Sequence, residues 1–287
     1  MMDILANFDW KRPIQFSVGG IYDPQNQFFL QNYLQFDGFS YRLVPFETPE
    51  SEEGELGRVD AEQMYQTVKN FRWGNFKDLN VHMDETCTQN IISYRTSASR
   101  AAEALMANNQ PQRALEVLDL ASREIPVEKY NDARSLSAVV YGYILAGEEK
   151  KGLQLAEELK KGIFEEHDYF ASLSPNEQRF VRKQMNAQPM LYSVVVSSVS
   201  SAYQKMGKKD KAYDYIVKSL VPIDKRFNLF VKDLQMAGKE KAYEDAGNVQ
   251  KITPFYQYLF EVMKPYDSTY ETEKMDQITK QMMKITQ

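Results

Sequence analysis

The chain has one cysteine, Cys87, and two histidines, His82 and His167, which stand 85 residues apart. A single cysteine excludes an internal disulfide. With no H-x-x-x-H and no C-x-x-C, the usual zinc patterns are excluded as well. There is no G-x-S-x-G and no P-loop, and Gly19-Gly20 alone reads as a turn rather than a phosphate cradle. No run approaches the ~20 apolar residues needed to cross a bilayer. Met1 to Trp10 is acidic and mixed, unlike a secretory leader. The expectation is therefore a cytoplasmic protein, or a fragment whose targeting portion lies upstream. Positive charge is also in short supply: the net charge is -5, and basic residues are interspersed with acids. That balance excludes a nucleic-acid footprint. No catalytic constellation stands out, and no cofactor is expected.

What is present is a helical hairpin, Ala98 to Pro126 (ASRAAEALMANNQPQRALEVLDLASREIP). Ala98, Ala101, Ala102 and Leu105 share one face at a period of 3.6. Asn109 closes the first helix, because Asn tolerates the left-handed conformation of a helix end. Pro111 opens the second, where a missing N–H does no harm. Ala114, Leu118 and Ala121 form its inner face, and Pro126 ends it. Alanines let the two backbones approach, in the small–large alternation of a tetratricopeptide repeat.

The spacing recurs. Gly147 precedes Gly152 by five residues, as Asn109 precedes Ala114, and Leu136, Val139, Val140 and Tyr143 take the places of Ala98, Ala101, Ala102 and Leu105. Gly207 precedes Ala212 by five, behind Val196, Val199, Ser200 and Tyr203. The expected fold is mainly α: a tetratricopeptide-like superhelix of antiparallel helix pairs over 59–287, with a small N-terminal α/β segment over 1–58. The copies lie 38 and then 60 residues apart, against about 34 in the standard repeat. The longer gap must hold an insertion. Phe164 and Asp224 replace Pro126 in the later copies.

In the first 58 residues, Ile14, Phe16 and Val18 alternate with polar residues as a strand, and Tyr41, Leu43 and Pro45 do so again. Gln27 to Leu34 reads as a short helix with Phe29, Leu30 and Tyr33 inward. That order predicts a parallel βαβ pair. Glu47 to Glu55 is an acidic linker. Asp60 opens a helix, FRWGNF (Phe71 to Phe76) is an aromatic-rich turn, Asp84 caps the next helix, and Ser174-Pro175 starts another. Gln188-Pro189 is expected to kink or break its helix. Asp224 to Ala237, Pro254 to Met263 and Glu271 to Ile285 read as further helices, the last capping the stack.

Cys87 near His82 reads as a small core residue before a nucleophile. Asp84-Glu85 reads as helix capping before an acid pair, because adjacent residues at a helix start point different ways. Arg12, Arg42, Arg72 and Arg95, each beside aromatics or in a strand, would serve either cation–π and salt-bridge packing or an anion site. In a tetratricopeptide-like array the groove is lined from the first helix of each pair. Those positions are Ser99 and Glu103, then Arg134, Ser137 and Tyr141, then Ser197, Ser201 and Gln204. Such a lining would suit an extended peptide held through backbone hydrogen bonds, or simply a wet surface.

Three stretches carry a resemblance: DWKRPIQFSVGG (Asp9 to Gly20), DGFSYRLVP (Asp37 to Pro45) and FRWGNFKDLNVHMDETCTQNIISYR (Phe71 to Arg95). Together they resemble the soluble C-terminal region of a bacterial membrane-protein family that is itself similar to protein O-mannosyltransferases. The resemblance covers about the first half of the chain. It implies a tail on the periplasmic side of the inner membrane, following a multi-span domain of the GT-C glycosyltransferase type. The catalytic acids would then lie upstream, and none is carried over here. Arg12, Arg42, Arg72, Trp73, Asp84, Glu85 and Arg95 become candidates for docking on that membrane domain. A protein or peptide is the expected partner. The alternative is a free-standing scaffold that binds a partner peptide.

Overall fold

A computed structural model describes residues 2–21, 29–48, 56–236 and 241–286. The fold is mainly helical with a small three-stranded sheet near its start. The chain divides into two compact units, Met1–Tyr130 and Asn131–Gln287.

In the first unit the strands are β1 (Gln15–Ser17), β2 (Leu34–Phe36) and β3 (Ser40–Leu43), in the order β1-β3-β2. Both pairings are antiparallel, with Phe16 and Phe36 each opposite Tyr41. This corrects the expected parallel βαβ pair. Leu34 belongs to a strand, Gln31–Tyr33 is a single 3-10 turn, and Phe29 points into solvent. Only Asp37-Gly38-Phe39 separates β2 from β3, and so short a link closes only an antiparallel pair. Val18 leaves the strand and starts a helical turn. Residues 22–28 and 49–55, with the first two residues of the expected helix and most of the acidic linker, lie outside the described residues.

The longer helices of this unit are α1 (Ala61–Lys69), α2 (Glu85–Ala107) and α3 (Pro111–Glu124). Asp60 caps α1 by accepting from Gln63 N, and Asp84 caps α2 by accepting from Cys87 N at 2.7 Å. The sheet is fastened to these helices at its β2–β3 turn. Gly38 has φ +97°, and a Cβ there would lie 3.2 Å from Phe71 Cζ. The positive φ calls for glycine, and the tight approach of the Phe71 ring adds to that preference. Ser97 Oγ sits 2.8 Å from the Gly38 carbonyl. Phe39 packs on Phe71 and Tyr94, each at 4.8 Å between ring centroids. Trp73 and Phe76 complete the ring cluster around Tyr94.

The second unit contains α4 (Ala133–Leu145), α5 (Glu149–Ser172), α6 (Pro175–Lys205), α7 (Lys209–Met236), α8 (Lys241–Met263) and α9 (Tyr270–Thr286). The pairs α2–α3, α4–α5 and α6–α7 each close through the same turn. Asn109, Gly147 and Gly207 have φ of 57°, 94° and 74°. In each turn the next residue's N–H reaches five residues back: Gln110 to Leu105, Glu148 to Tyr143 and Lys208 to Tyr203, at 2.8, 2.9 and 2.8 Å. This is the Schellman arrangement. All twelve seam positions expected from the spacing are buried, the most exposed being Tyr203 at 4%.

The insertion between the second and third copies is helix, not loop. Helix α5 has 24 residues and α6 has 31, against 14 in α3 and 13 in α4. Without the stop that Pro126 supplies, α5 runs on past Phe164 to Ser172. Ser174 and Glu177 then form a capping box that opens α6. Pro189 does not break α6, and Pro222 and Pro254 lie inside α7 and α8. The helix starts expected at Asp224 and Pro254 are thus interior points of longer helices. An internal proline costs about 3 kcal/mol. Here Tyr192, Ile223 and Phe255, close to the three prolines, are fully buried, and their packing outweighs that cost.

Gly152 stands where the other two hairpins have Ala114 and Ala212. A Cβ on it would lie 2.7 Å from Ile144 Cγ1 and 3.1 Å from the Val140 carbonyl. Replacing glycine by alanine in a helix ordinarily gains about 1 kcal/mol. Gly152→Ala is expected instead to lower stability by about 1–2 kcal/mol, because the backbone and a β-branched neighbour cannot yield. Urea unfolding followed by circular dichroism measures the shift.

Candidate functional site

Of the expected groove residues, those of the third hairpin line a cavity. Ser197, Ser201 and Gln204 of α6 face Tyr258 and Glu261 of α8 and the following Tyr266 across about 370 Å³. The Tyr266 hydroxyl donates to Gln204 Oε1 at 2.9 Å. That bond occupies Gln204 Oε1 and leaves its amide N–H groups as donors. Glu261 is paired with Lys264 at 3.2 Å. The result is a shallow, nearly uncharged trough with hydroxyls on one wall and two tyrosine rings on the other.

The first two hairpins do not present their expected residues in that way. Ser99, Ser137 and Tyr141 are buried, Glu103 is half-buried and Arg134 is exposed. A helical serine can satisfy itself on the preceding turn and so is cheap to bury. Ser137 does this, donating to the Ala133 carbonyl at 2.6 Å.

The expected docking residues are spread over separate settings. Arg95, 1% exposed, donates to the carbonyls of Ile125 and Tyr130 at 3.2 and 2.8 Å, closing the end of α3. Arg42 pairs with Asp37 at 3.2 Å and donates to Gln63 Oε1 at 2.8 Å. Trp73 is buried in the ring cluster. Arg12 and Arg72 are exposed, and the Arg72 carbonyl accepts from the Tyr94 hydroxyl. Asp84 is committed to capping α2, and the side chain of Glu85 lies outside the described residues. Asp84, hydrogen-bonded to Cys87, pushes the thiol upward and disfavours a thiolate. Among the described residues no group of three or more His, Cys, Asp or Glu is placed to hold a metal.

The burial of three basic residues, Arg100, Lys160 and His167, was not expected. Arg100 donates to the carbonyls of Leu56 and Gly57 at 3.0 and 2.8 Å, and lies 4.2 Å over the Phe36 ring. Lys160 pairs with Glu157 at 2.7 Å and reaches Ser219 Oγ at 3.2 Å; burial pulls its pKa down against that partner. His167 packs edge-on to Phe255, and its buried Nδ1 has no hydrogen bond. The signal for the last two was the helical spacing Ala156, Lys160, Ile163, His167, Phe170, which puts all five on one buried face.

A family model described as TMEM260-associated domain 2 matches residues 1–63, the stretch that holds the sheet and opens α1. The start of the chain is thus similar to a membrane-protein-associated domain. No curated protein and no solved structure matches the chain. Among the described residues, no helix is long and apolar enough to cross a membrane.

His167 yields a pH prediction. Burial, the largest influence, and the charges of Arg226 and Lys251 hold its pKa below the ordinary value; Asp168 opposes them. A lowered folded-state pKa means the unfolded chain binds the proton first. The stabilising contribution is present above about pH 6.5 and is lost as pH falls below it. The thermal midpoint should drop between pH 7 and 5, and His167→Gln should remove part of that slope.

Proposed function

We propose that this chain is a non-catalytic helical-repeat domain that serves a membrane glycosyltransferase resembling protein O-mannosyltransferases, on the periplasmic side of the inner membrane. It docks on the membrane domain through its first unit. One observation carries the reading: residues 1–63, similar to a membrane-protein-associated domain, are knitted to the long motif of Phe71 to Arg95. The knit runs through Gly38 against Phe71, and Phe39 against Phe71 and Tyr94. All three stretches behind the family resemblance fall in that unit. In cells whose gene lacks the codons for these 287 residues, glycosylation of the enzyme's acceptor proteins should fall at least tenfold, read by glycopeptide mass spectrometry. Unchanged occupancy and acceptor choice would overturn the reading.

A second reading, a scaffold that binds a partner peptide, is favoured by the trough on α6 and α8. Its hydroxyl and amide groups match the backbone of an extended segment. Gln204→Ala with Ser201→Leu would fill and blunt the trough. Partner capture from the native extract should then be lost while the circular dichroism spectrum is kept; capture of the same partner by the double variant would sink this reading.

A further inference from the structure

The start of α6 has no part in either role proposed above. From Ala171 to Ala187, across the turn from α5 into α6, no residue is buried. Gln178, Val181 and Met185 are half-buried and Gln188 is buried, at the spacing of one helix face. That face is turned to the end of α5. Gln178 Nε2 donates to the carbonyls of Ala171 and Leu173 at 3.1 and 2.8 Å, and Gln188 Nε2 donates to Glu166 at 2.9 Å. The opposite face carries Arg179, Phe180 and Lys183, with Arg182 beside them, and all four are exposed. The Phe180 ring is 86% exposed. Among the described residues, none of the three cations makes an ion pair. Acids at this end of the hairpin hold other partners: Glu165 pairs with Lys161 at 3.5 Å, Asp168 with Arg226 at 2.9 Å, and Glu177 closes the capping box. The sequence repeats the pattern. Acids outnumber bases 40 to 35 in the chain, yet no Asp or Glu stands between Glu177 and Asp210.

We infer that this face of α6 docks on an anionic lipid surface. A single exposed ring is ordinary, but a ring set among unpaired cations is the pattern of an interfacial helix. The three cations complement the phosphates of acidic headgroups, and their long stems let the charged ends stay in the headgroup layer. Phe180 then enters the boundary between headgroups and acyl chains, where its apolar ring leaves water. A nucleic-acid strand would bring the same phosphates. It is held by several stacking rings along a basic groove, whereas Phe180 is the single aromatic residue between Pro175 and Gln188. The chain's net charge of -5 opposes a polyanion that wraps over it, and a bilayer touches only this face. The proposal stands apart from both roles proposed above, since it concerns binding by this chain alone.

The test floats the full chain with vesicles of phosphatidylcholine, with and without phosphatidylglycerol. In parallel, the chain is titrated with a single-stranded RNA oligonucleotide. Flotation with the phosphatidylglycerol vesicles alone is expected, and it should weaken as salt is raised. Each cation contributes about fivefold to partitioning, so a variant with Arg179→Gln, Arg182→Gln and Lys183→Gln should lose about a hundredfold. Phe180→Ser should lose about tenfold. These positions are exposed, so the thermal midpoint should stay where it is. A control variant with Lys150→Gln, Lys218→Gln and Lys225→Gln removes the same charge from exposed positions elsewhere and should float as the parent chain does. Failure to float with phosphatidylglycerol overturns the proposal, as does full binding by the first triple variant or an equal loss in the control. Saturable binding of the RNA without flotation assigns the face to nucleic acid and overturns it too.

Discussion

Each helix pair depends on one constraint. The chain must reverse within a few residues, and the two helices must then lie close enough to exclude water. The reversal needs a residue at positive φ, which glycine takes freely and asparagine with little penalty. Close approach needs small side chains immediately afterwards, supplied by Ala114, Gly152 and Ala212. The two demands fall five residues apart on the same turn. The spacing survives even where the rest of the repeat has diverged. Everything outside the seam is free to vary, which is how α5 and α6 grew to 24 and 31 residues without disturbing the turns at Gly147 and Gly207.

The first unit uses a related device between unlike elements. Its sheet is too small to bury a core of its own, with strands of three, three and four residues. It borrows one from the helices. Gly38 admits the Phe71 ring, and the buried Arg100 of α2 reaches out to carbonyls at Leu56 and Gly57. Removing those acceptors would strand a buried charge at a cost of about 3–5 kcal/mol. The family match ends at residue 63, yet Phe71, Tyr94, Ser97 and Arg100 hold the matched segment in place. The matched stretch and the hairpin that follows form one structural element.

The sequence made the helix pairs legible because both of their constraints are local and specific to residue type. It misled on the sheet because alternation marks a strand but not its direction. Leu34–Phe36 alternates over only three residues, and its polar member, Gln35, is buried with the other two. The internal prolines misled for a different reason. Local preference at Pro189, Pro222 and Pro254 favours a break, and the burial of their neighbours reverses it. Among the candidate site residues, Ser197, Ser201 and Gln204 line a cavity, whereas Ser99 and Ser137 are buried. All share the same periodicity. What separates them is how tightly the surrounding helices close, which no single segment records. The burial of Lys160 and His167 was missed because charged and titratable residues are read as surface, although their spacing placed them inward.

The turns that close the pairs have a kinetic consequence. Their hydrogen bonds span only five residues, so a pair can form soon after its own residues are made, without waiting for distant partners. The strand pairing of Gln15–Ser17 with Ser40–Leu43 and its anchorage on Phe71 and Arg100 require much wider loops to close. During synthesis the sheet residues emerge before α2 but must wait for it to be anchored, so the sheet is expected to settle after the helix pairs.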